Sequence, residues 1–117
     1  MPHLRLEYAQ SLEHQSDIAT LVTQLHLAAL ATGAFQAENI KVRALPCPHY
    51  STGGRQVPSA HLEVKILPGR PPEQLRHISR HLLDCLIALL PEGTELSVNV
   101  CDLAKHGYSK QRGQSRA

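Results

Sequence analysis

Two runs of strand-like alternation, each followed by a helical stripe and a second alternating run, divide this chain into similar halves, and no other feature restricts its fold as strongly. Leu4, Leu6 and Tyr8 alternate with His3, Arg5 and Glu7, the period of a half-buried strand. From about Ser16 the period lengthens: Ile18, Leu21, Val22, Leu25 and Ala28 follow helical spacing, with Ser16 or Asp17 as N-cap and Gly33 as the stop. Alternation returns with Ile40, Val42 and Ala44 against Lys41, Arg43 and Leu45. Pro46, Pro48, Gly53, Gly54 and Pro58 then predict a long connection.

The pattern repeats. A strand is expected near Ala60 to Leu67, with Leu62, Val64 and Ile66 opposite His61, Glu63 and Lys65. Pro68-Gly69-Arg70-Pro71-Pro72 breaks it, and proline is tolerated in the first turn of the helix that follows. That helix carries Leu75, Ile78, Leu82, Cys85, Leu86 and Leu89 on one stripe and ends at Pro91-Glu92-Gly93. Leu96, Val98 and Val100, alternating with Ser97, Asn99 and Cys101, predict a final strand. The expected fold class is α+β: duplicated βαβ units, offset by about 57 residues, forming a four-stranded mixed sheet with two helices on one face. The other face is polar and mixed, which favours burial against further copies of the chain.

At 117 residues the chain has the length of a single domain. It has no Trp, one Phe and three Tyr, so the core is aliphatic and aromatic platforms for stacking bases are lacking; nucleic acid is not an expected partner. Lys105, Lys110, Arg112 and Arg116 lie in a final stretch without acids, while residues 1–102 hold eight basic and ten acidic groups. The basic balance thus belongs to residues 103–117, expected to be a solvated tail. Cys47, Cys85 and Cys101 are odd in number and form no Cys-x-x-Cys motif, pointing to a reducing cytoplasmic location. No apolar run approaches a membrane span.

Pro2 follows Met1 directly, and methionine before a small residue is normally trimmed, which would leave a secondary amine at the new terminus. Desolvation and neighbouring cations disfavour its protonated form and make it a general base near neutral pH. Lys41, Arg43 and Arg70 are the cations that would lower its pKa and hold an anionic substrate. Pattern alone leaves them open as ordinary exposed charges or partners of Glu38 and Glu63. His77 and His81, with Cys85, have helical metal-ligand spacing, but Cys85 falls on the apolar stripe and a third ligand is not evident, so they read as a surface pair. His49 and Tyr50 either line a pocket or close a turn. Gly53-Gly54 lacks the spacing of a phosphate loop and no serine-nucleophile motif occurs, so proton transfer without metal or cofactor is the expected chemistry.

Met1-Pro2-His3 with Glu7, Leu30-Ala31-Thr32-Gly33-Ala34-Phe35, Ile40-Lys41-Val42-Arg43, and His61-Leu62-Glu63-Val64-Lys65-Ile66 running into Gly69-Arg70 resemble the 5-carboxymethyl-2-hydroxymuconate Δ-isomerases of the tautomerase superfamily. Tyr108-Ser109-Lys110 is similar to that family's aromatic-x-Lys segment, although Gln111-Arg112-Gly113 replaces an Asn-rich continuation. The resemblance implies a tautomerase-like domain over residues 1–102, a homotrimer, and a cofactor-independent isomerase that moves a double bond in an unsaturated keto-enol dicarboxylate. Pro2 would be the base and Arg70 would bind or polarise the substrate. Lys41 stands where the family has a second arginine, keeping the charge without the bidentate fork, and Arg43 would share its task. His3 and Tyr50 complete the expected substrate-binding set. A hydratase or dehalogenase of unsaturated acids, and a non-catalytic trimeric ligand-binding protein, are the alternatives.

Overall fold

The computed structural model describes residues 1–113. Its elements run β1 (His3–Ala9), α1 (Ile18–Ala31), β2 (Lys41–Cys47), β3 (Ser59–Ile66), α2 (Pro72–Leu89) and β4 (Glu95–Asp102), with short 3-10 turns at Gln10–His14 and Ala37–Asn39. Asp17 caps α1, accepting from the Ala19 N–H at 3.1 Å, and Gly33 takes φ +77° just beyond its end, where a side chain would be strained. Pro72 opens α2, where a missing N–H costs no helical hydrogen bond.

The sheet order is β2-β1-β3-β4, and within each repeat the strands are parallel. The two repeats join through antiparallel β1 and β3 at the centre of the sheet. The expected duplicated βαβ architecture is the one found. Leu4, Leu6, Leu62, Val64 and Ile66 point into the helices and meet Leu25, Ile78, Leu82 and Leu86, all fully buried. Each such side chain contributes about 1.5–3 kcal/mol of burial.

Two boundaries differ from the sequence expectation. Pro46 was expected to begin the long connection, but β2 continues through Pro46, opposite Tyr8, to Cys47, opposite Ala9. β2 is an edge strand, where a missing N–H can face away from the ladder. Leu89, expected on the apolar stripe of α2, is 39% exposed, because the stripe continues from Leu86 to the buried Leu90, four residues on, and turns Leu89 away from the core.

The segment expected as a solvated tail is exposed but makes contacts with the rest of the chain. Most side chains from 104 to 113 are exposed, yet the Leu103 N–H donates to Ile66 O at 2.7 Å and the segment returns to the amino terminus, where Tyr108 contacts His3. Arg116 lies outside the described residues. No helix among the described residues is long and apolar enough to cross a membrane.

Candidate active site

Pro2 is fully buried at the start of β1, and its carbonyl accepts from the Lys41 N–H at 3.0 Å. That bond extends the parallel β1–β2 pairing by one step and fixes the amino terminus at the edge of the core. The same pairing puts Lys41 opposite His3 and Arg43 opposite Arg5 on the face without helices. β3 adds Lys65 beside His3 and Glu63 beside Arg5.

Arg70 arrives from the other repeat, in the turn between β3 and α2. Its guanidinium donates to Ala34 O at 3.1 Å and to Leu67 O at 3.3 Å, and stands 5.1 Å from the centroid of the Phe35 ring. The α1–β2 connection and the β3–α2 turn thus share one arginine. The cation–π contact and two carbonyl acceptors hold the charge in place without neutralising it.

These groups act on one another. Burial holds the Met1 amine below its ordinary range, and Arg70, Lys110 and Lys41 add to the same shift. Burial likewise lowers His3, with Arg43, Lys41, the amino terminus and Lys110 contributing. Lys41 is thus paired with Pro2 through the backbone, and the charges of Lys41 and Arg70 both act on the amino terminus beside it. Arg43 acts on His3 but not on the amino terminus, and lines a cavity of about 260 Å³ on the open face with His3, Arg5, Glu7, Glu63 and Lys65.

Tyr50 does not join this group within the chain. It packs against the core near the end of β1 remote from Pro2, and its hydroxyl lies 2.8 Å from Ser11 Oγ. It lines a second cavity with Glu7, Tyr8 and Ala9. His49 is exposed beside it. His77 and His81 stack on the surface of α2 with ring centroids 6.0 Å apart.

Lys110 is the cation that pattern reasoning assigned to the solvated tail. Its Nζ lies 3.2 Å from Asn39 Oδ1 and 2.6 Å from Met1 Sδ. The only signal for it in the sequence was the Tyr108-Ser109-Lys110 segment, since no periodicity connects the end of a chain to its beginning.

A family model for 5-carboxymethyl-2-hydroxymuconate isomerase matches residues 2–109. No match to the sequence is found among curated proteins. A crystal structure of a 5-carboxymethyl-2-hydroxymuconate delta-isomerase matches with TM-score 0.83 at 21% identity, covering 98% of this chain and 96% of that one. A 5-carboxymethyl-2-hydroxymuconate isomerase from Deinococcus radiodurans matches with TM-score 0.74 at 26% identity, covering 96% and 90%. A fused 4-OT wild type symmetric trimer matches with TM-score 0.79 at 17% identity, covering 97% and 94%. A duplicated βαβ sheet, an amino terminus set among three cations and a family match over nearly the whole length agree: the chain belongs to the 5-carboxymethyl-2-hydroxymuconate isomerase family, and its fold is that of the tautomerases.

Proposed function

We propose that the protein is a cofactor-independent isomerase that moves a double bond in an unsaturated keto-enol dicarboxylate, with the Pro2 nitrogen as general base. The observation that carries this reading is the placement of the amino terminus among Arg70, Lys110 and Lys41, next to a fully buried proline. With Met1 attached the Pro2 nitrogen is an amide and takes no proton. Removal of Met1 makes it a secondary amine one residue deeper, where desolvation and the same cations favour its neutral form.

The amine takes a proton from the dienol substrate and leaves a dienolate. The ammonium formed then returns that proton to a different carbon, so the double bond shifts and no atom is gained or lost overall. Arg70 and Lys41 hold the substrate's carboxylates, and Arg70 stabilises the dienolate oxygen. Positive groups aimed at developing negative charge act most strongly in the transition state, which is where rate is gained. One field thus serves twice, lowering the pKa of the base and binding the anion that it deprotonates.

A homotrimer in the cytoplasm is part of the proposal. The outer edges of β2 and β4 have no partner strand among the described residues, and exposed edges invite pairing. The open face carries Arg5, Arg43, Glu7, Glu63, His61 and Lys65, which another copy can cover. The similarity to a symmetric trimer supports that number. Cys47, Cys85 and Cys101 are all free, which suits a reducing compartment.

The test is turnover of a 2-hydroxymuconate-type dienol by the chain freed of Met1 and by its Pro2→Ala variant. The variant is expected to lose about 100-fold or more in kcat, the scale of general-base catalysis, while keeping its fold by circular dichroism. An unchanged rate overturns the proposal.

A further inference from the structure

The C-terminal segment meets the amino terminus through side-chain contacts of Tyr108 and Lys110. The Leu103 N–H donates to Ile66 O, so the chain leaves β4 along the end of β3. Tyr108 then meets His3 edge-on, with ring centroids 5.7 Å apart and its hydroxyl 2.8 Å from His3 Nε2. Two residues later Lys110 reaches Asn39 Oδ1 at 3.2 Å, while Lys41 Nζ donates to the Asn39 carbonyl at 3.0 Å.

One asparagine therefore gathers two ammonium groups. Like charges at such range repel. The ion pairs among the described residues are Arg5–Glu7, His61–Glu63 and Arg80–Asp84, so no carboxylate there lies within ion-pair distance of Lys41, Lys110 or Arg70. Glu38 and Arg112 also act on Lys110, with opposite signs. Two ammonium groups held together by neutral oxygens form a site that a bound anion stabilises. Met1 Sδ lies against Lys110, so the space next to the ammonium opens to a ligand when the methionine is removed.

We propose that Lys41 and Lys110 form the subsite for the second carboxylate of a dianionic substrate, carried on a C-terminal strap that Tyr108 seats on His3. Arg70 takes the carboxylate next to the reacting carbons, an assignment that rests on the function proposed above. The strap sets specificity: it selects a dicarboxylate over a monocarboxylate of the same carbon skeleton.

Binding separates this idea from the catalytic one, because it requires no turnover. The purified chain, treated with methionine aminopeptidase and checked by mass, is titrated calorimetrically with muconate and with sorbate, two six-carbon dienes that differ by one carboxylate. The chain is expected to prefer muconate. Lys110→Ala, at an exposed position, is expected to lose roughly tenfold in muconate affinity with sorbate unchanged, and Lys110→Arg to retain the preference. Equal losses for both ligands, or no loss for muconate, overturn the proposal. A Pro2→Ala variant with full turnover overturns the catalytic reading instead, whatever the titrations show.

Discussion

His3 Nε2 and Tyr108 Oη lie 2.8 Å apart, joining the first strand to the C-terminal segment across 105 positions of sequence. The contact is partly buried and keeps Lys110 close to the amino terminus. Tyr108→Phe removes the hydrogen bond and keeps the ring. A loss of about 1 kcal/mol confined to the strap is expected, read as roughly fivefold faster amide exchange over residues 103–110 with the core amides unchanged. Unaltered exchange in that segment would show that the strap is held by other means.

The same histidine gives the fold a pH dependence of definite sign. Burial, then Arg43, Lys41, the amino terminus and Lys110, hold its pKa below 6.5. Between 6.5 and the lower folded value the unfolded chain binds more protons at this site, so stability decreases as pH falls through 6.5 and levels off below the folded pKa. His3→Gln should remove that component from urea unfolding curves taken between about pH 7.5 and pH 5. Parallel curves for the two proteins would count against it.

Glu63 has the same sign in a more acidic window. Its carboxylate accepts from His61 Nε2 at 2.9 Å, from Cys101 Sγ at 3.1 Å and from Asn99 Nδ2 at 3.1 Å, tying β3 to β4 on the open face. The His61 hydrogen bond, followed by that from Cys101, holds its pKa below 4.5. This contribution is complete above the unfolded value and disappears as pH falls through the folded one. Acid unfolding of Glu63→Gln should therefore begin from a lower stability and decline less steeply below pH 4.5 than that of the parent chain.

Arg70 is placed by Ala34 O, Leu67 O and the Phe35 ring, so its charge and its position can be separated. Arg70→Ala is expected to lower kcat/KM by about 100-fold or more, in the range of a lost transition-state donor, and Arg70→Lys to recover only part of it. Phe35→Leu keeps the guanidinium but removes its cation–π contact, worth about 0.5–1 kcal/mol, and should raise KM severalfold at nearly constant kcat. Steady-state kinetics of the three variants gives the order; an Arg70→Lys variant as active as the parent would remove the case for a planar fork.

The sheet and its helices could be read from alternation and helical stripes because the strands have one covered face and the helices one buried side. Leu4, Leu6, Leu62, Val64 and Ile66 lie where that logic puts them. Pro46 misled because a turn signal has a different meaning on an edge strand, and strand order is not visible in a local window. Lys41 and Arg43 share a face, as alternation requires, and both act on His3, but Lys41 also acts on the amino terminus while Arg43 lies one row further from it. Tyr50 belongs to a connection whose path no period constrains, and it packs at the far end of β1. Lys110 depends on a contact between the two ends of the chain, which only the folded backbone brings together.

The titration of the Pro2 nitrogen itself tests the account most directly. With proline labelled with nitrogen-15 and Met1 removed, the chemical shift of that nitrogen is followed against pH. The account predicts a single titration below the ordinary α-amino range of about 7.7 to 8.0, moving upward when Lys110 or Lys41 is replaced by Met. A Pro2 nitrogen that titrates within or above that range, and is indifferent to those replacements, would contradict it.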